Sequence, residues 1–95
     1  MNQSTAWPDL HLKLQENLIH FLDVELDLAG TLCDRAKSHP DHEHRAEILR
    51  KIKQAIDTVR YFADRIDDPV TRNAILERAN DLECRVEKIA QQADS

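Results

Sequence analysis

The run His39-Pro40-Asp41-His42-Glu43-His44 is the part of the chain whose residue types could hold a metal ion. Imidazoles and carboxylates are good ligands for zinc and similar ions. Two ligands on one helix must stand three or four residues apart, whereas His42 and His44 point about 200° from each other. Asp41 and His44 do have the required spacing, and His39 can fold over from the preceding loop. His39, Asp41 and His44 are therefore the candidate metal ligands, and a metal-assisted hydrolase or oxidase is the enzymatic reading. Against it stands a solvated polar helix start, because incomplete ligand sets bind weakly.

Other chemistry has less support. Glu16, His20, Asp23, Asp27 and Asp34 share one side of a helix, but the Glu-x-x-His pairs of di-iron bundles are missing. A single glycine cannot build a phosphate-binding loop. Cys33 and Cys84 make no CxxC motif; Cys33 has the acidic Asp34 next to it, and Cys84 sits between acidic Glu83 and basic Arg85, so neither shows the local logic of a reactive thiol. The sequence therefore predicts no catalytic residue, no cofactor and no enzyme.

The elements that must position these residues follow from composition and spacing. The chain has 95 residues, 41% of them hydrophobic and 33% charged, which suits a single domain with one core. One Gly and three Pro leave little of the turn chemistry that hairpins require, so β-rich folds are excluded. A net charge of −5 argues against nucleic-acid or anionic-membrane surfaces. The first residues lack a basic region followed by an apolar one, charges break up every apolar stretch, and the cysteines look reduced. These features predict a cytoplasmic protein without a membrane span.

Each proline stands where a helix should begin, which divides the chain into helices near 8–38, 40–67 and 69–93, with flexible tails at 1–6 and 94–95. Ser38 or His39 is the expected N-cap of the second helix and Asp68 that of the third. Ile48, Ile52, Ala55, Val59, Phe62 and Ile66 are spaced 4-3-4-3-4, as are Ile75, Ala79, Leu82, Val86, Ile89 and Ala93. Leu14, Leu18, Phe21, Glu25, Leu28 and Leu32 repeat the pattern, with a carboxylate in the seam. Such spacing packs knobs into holes, and the short connections force neighbouring helices antiparallel. The predicted fold is an all-α, up-down-up three-helix bundle. Its most buried positions are expected at Phe21, Leu28, Ile52, Val59, Phe62, Leu82 and Val86. Acid-first pairs Asp41/Arg45, Glu47/Lys51 and Asp81/Arg85 are expected to support the outer faces.

The first helix carries more apolar surface than one seam needs. Leu22, Ala29 and Ala36 flank it on one side, and Leu12, Ile19, Leu26 and Cys33 on the other. The latter row, with Gly30 beside it, is the expected interface: a helix with two apolar faces has two sets of neighbours, and a glycine lets another helix approach. Glu25, inside the expected seam, calls for a cationic partner. Helix stacking at about 1.5 Å per residue nominates Lys53 and Arg85 for a pair that fixes register. The resulting functional expectation is a small interaction or assembly module, homodimeric through helix one. The alternative is an acidic inhibitor or antitoxin-like antagonist covering a basic partner.

Overall fold

The computed structural model describes residues 6–94, with side chains from 9 to 92. Three helices, α1 (Ala6–Ser38), α2 (His42–Ala63) and α3 (Pro69–Asp94), run up, down and up, and each packs on the other two. Among the described residues there is no strand. Most of the expected tails, 1–5 and 95, lie outside the described residues, while Ala6 and Asp94 belong to helices.

Local chemistry sets the breaks. Asp41, and neither Ser38 nor His39, caps α2: its backbone is extended (φ −88°, ψ 120°) and its carboxylate accepts the Glu43 N–H at 3.1 Å. Pro40 stands just outside the helix, where its ring restrains His39 to non-helical backbone. Helix α2 stops at Ala63, four residues short of expectation, because the N–H groups of Arg65 and Ile66 turn back to the carbonyls of Phe62 and Ala63 at 3.0 Å each. Asp68 caps α3 as expected, accepting the Thr71 N–H at 3.2 Å and the Thr71 hydroxyl at 2.6 Å. Gln15 secures the α2–α3 connection to α1. Its amide donates to the Arg65 carbonyl and accepts from the Asp67 N–H, both at 2.9 Å.

The cores of α2 and α3 match their stripes except at Ala55 and Phe62, which are half-buried, while Ala93 lies outside the described side chains. Ile48, Ile52, Val59 and Ile66 are buried, with Leu49, Ile56 and Ala63 beside them, and so are Ile75, Ala79, Leu82, Val86 and Ile89. Helix α1 departs from expectation. Its buried stripe is Leu22, Leu26, Ala29, Cys33 and Ala36, with Ile19 partly buried against it. Phe21 and Leu28, expected among the most buried positions, are exposed.

The reason is that α1 carries two stripes with the same 4-3 spacing. The one that enters the core has no charge and ends in small residues, which let α2 and α3 approach closely. The other contains Glu25, whose burial would be costly. Apart from Leu12, the two apolar rows read as flanks are together the real seam.

Helix α1 has 33 residues against 22 in α2, so it projects beyond the turn that Gln15 holds. The molecule measures 65 × 21 × 16 Å, with a radius of gyration of 17.0 Å. A globular chain of about this length would have about 13 Å. An elongated bundle this thin leaves much of α1 without a neighbour.

Candidate functional site

Two faces of α1 find partners inside the molecule. The seam enters the core, and the acidic side faces α3. Arg78 of α3 reaches both Asp23 and Asp27, the latter at 2.9 Å, and Arg85 reaches Asp34, also at 2.9 Å. On the other side of α3, Arg60 of α2 bonds Glu83 and Asn80. Arg85 thus serves a helix–helix contact instead of pairing with Asp81 along its own helix, and Arg45 turns its guanidinium to the His39 carbonyl. The signal in the sequence was the matched seven-residue step, Asp27 to Asp34 and Arg78 to Arg85.

Among the described residues the third face is largely unpartnered. Leu10, Leu14, Phe21, Val24 and Leu28 are between 43% and 58% exposed, and with Asn17 they form a continuous 4-3-4-3-4 stripe. The stripe is about 27 Å long and lies about 130° around the helix from the buried seam. It merges with α2 through Phe21, which meets Phe62 edge-on with centroids 6.1 Å apart. Tyr61, also exposed, stands edge-on to Phe62 at 5.0 Å, and the Arg65 guanidinium lies over both rings. Glu25 and Leu32 continue the surface into a shallow groove floored by Ala29 and Ala55 and edged by Lys51.

The expected interface row is taken apart by the fold. Leu26 and Cys33 are buried in the molecule's own core and Ile19 packs against it, so none can face another chain. Leu12 alone is open, because the projecting turn of α1 has no helix opposite it. Gly30 is half-buried in the groove between α1 and α3, where a Cβ would meet only the Arg85 Nη1, at 4.0 Å. Its lack of a side chain therefore admits no helix.

The charge partners expected for Glu25 are also elsewhere. Arg85 holds Asp34, and Lys53 lines a groove between α2 and α3 with Asp57, Glu83 and Glu87. Glu25 is half-buried at the edge of the exposed stripe, where water reaches it and a core counter-ion is unnecessary.

The histidine cluster does gather. The rings of His39 and His44 stack at 5.1 Å, within 3° of parallel, and His44 Nδ1 is 3.6 Å from Asp41 Oδ2. Two of the candidate ligand atoms are engaged locally, however. His39 Nδ1 accepts the Asp41 N–H at 3.1 Å, and Asp41 Oδ1 caps α2. Among the described residues no group of three or more His, Cys, Asp or Glu side chains is arranged to hold a metal ion. Cys84 is exposed, and Cys33 is buried with its thiol pushed above its ordinary pKa by desolvation, Arg85 opposing.

No helix among the described residues is long and apolar enough to cross a membrane. The fold defines the chain as an all-α three-helix bundle. No family model, curated protein or solved structure matches it.

Proposed function

We propose that the chain is a cytoplasmic helical assembly module, with no enzymatic role, that dimerises through the exposed stripe of α1. The observation that carries this reading is the continuous heptad row Leu10, Leu14, Phe21, Val24 and Leu28, left open on a bundle whose core is already complete. Contiguous apolar surface of this kind marks contact surfaces, and heptad spacing suits a helix as the occupant. A second copy of the chain is the occupant that the flanking charges favour. His11 and Lys13 flank the first half of the stripe, and Glu25 and Asp27 the second, so the face is complementary to itself. Two unpaired cysteines, Cys33 and Cys84, suit a reducing compartment.

Light scattering on the wild type and on Phe21→Glu tests the proposal. A dimer that becomes a folded monomer in the variant supports it. A wild type that stays monomeric at high micromolar concentration overturns it. The antagonist reading has no comparable observation behind it, since three acids of α1, Asp23, Asp27 and Asp34, already have arginine partners on α3.

A further inference from the structure

We infer that the two copies of α1 pack antiparallel about a two-fold axis level with Ile19. This rests on the proposed dimerisation and adds its orientation and register. In an antiparallel pair each heptad layer sets an a position against a partner d position, and residues of the same flank face each other across the seam. Centring the pair at Ile19 places Leu10 on the partner's Leu28, Leu14 on the partner's Val24 and Asn17 on the partner's Phe21. Every large exposed side chain of the stripe is then covered, and each layer occurs twice by symmetry.

The flanks agree with the same register. Lys13 faces the partner's Asp27 on one side and His11 faces the partner's Glu25 on the other, while His20 stands at the axis beside its own copy. His11 and Asp27 already touch Asp67 and Arg78 within the chain, but their side chains remain 61% and 73% exposed. A parallel pair would instead set Lys13 beside the partner's Leu18 and Asp27 beside the partner's Leu32, leaving His20 to Glu25 as its one flanking contact of opposite sign. Moving the axis half a heptad toward the C-terminus puts Asn17 on Leu28 and leaves Leu10 uncovered. Asn17, the one polar residue within the row, is the kind of residue that selects a single register at some cost in affinity.

Short-linker bismaleimide cross-linking of single-cysteine variants reads the register directly. Cys84→Ser removes the exposed native thiol, and Cys33 is buried. In this background His20→Cys should give a covalent dimer. Lys13→Cys and Asp27→Cys should each fail to link to themselves, because their copies lie about 21 Å apart along the axis. Mixing those two variants should restore linking. Equal self-linking at all three positions would show a parallel pair and overturn the inference. So would a dimer, confirmed by light scattering, that links at none of them. Either result leaves the dimer itself standing, whereas a monomeric wild type removes both.

Discussion

Phe21 of α1 stands perpendicular to Phe62 of α2, with ring centroids 6.1 Å apart, yet Phe21 keeps 43% of its surface open. The pair marks the border where the bundle's interior ends and its unpartnered surface begins. One edge of the Phe21 ring is satisfied within the chain, and the rest faces outward along the heptad row. An aromatic contact of this geometry contributes about 0.5–1.5 kcal/mol beyond area burial, enough to hold the ring in position without hiding it.

The two stripes of α1 should respond oppositely to truncation. Leu22 is completely buried and Leu28 is 54% exposed. Leu22→Ala should cost about 2–5 kcal/mol by urea denaturation, the range for a buried leucine that leaves a cavity. Leu28→Ala, measured under monomeric conditions, should cost less than about 1 kcal/mol. Reversal of the two values would restore the Leu14–Leu32 seam as the core.

Gly30→Ala should stabilise the protein by about 0.5–1 kcal/mol, the penalty that glycine carries inside a helix. The added methyl group would meet only the Arg85 Nη1 at 4.0 Å, an ordinary contact with the end of a flexible side chain. A rise in the thermal midpoint checks this. A fall would mean that the glycine serves a close approach after all.

Asp68 should make stability depend on acidity. Its carboxyl is held below the usual carboxylate range by the Thr71 hydroxyl first and then by the Thr71 N–H. A group with a depressed folded pKa contributes fully above its unfolded value and loses that contribution as pH falls through the folded one. Wild type should therefore exceed Asp68→Ala in stability at neutral pH, with the gap narrowing in acid. Chemical denaturation of both proteins across this range measures it, and a gap independent of pH would contradict the assignment.

The cysteines should differ in reactivity. Cys84 is exposed, while Cys33 is buried and its thiol is biased toward the neutral form. Ellman's reagent should titrate one thiol in the native protein and two in denaturant. Rapid labelling of both without denaturant would mean that the α1 seam opens.

The helices of the bundle were legible in the sequence because their signals are local. Pro69 and Asp68 mark the start of α3 whatever surrounds them, and Ile52, Val59, Leu82 and Val86 lie on the only continuous apolar faces that α2 and α3 possess. Helix α1 offered two faces of equal period, and periodicity alone cannot rank them. Glu25 was the available clue: a carboxylate in one candidate seam argues for the other, since an ionised group is cheap at the surface and expensive in a core.

What the sequence by itself determined is the number of helices, their approximate lengths, their antiparallel order and the surplus of apolar surface on α1. Those follow from hydrophobic periodicity, helix caps and short connections. Only the tertiary structure decided which apolar row is surplus. The small side chains of Ala29, Cys33 and Ala36 match the larger ones of α2 and α3, and Arg78 and Arg85 fix the rotation of α1 by holding Asp23, Asp27 and Asp34. Packing and charge matching between helices are non-local, and together they turn Leu26 and Cys33 inward and leave Phe21, Val24 and Leu28 facing outward.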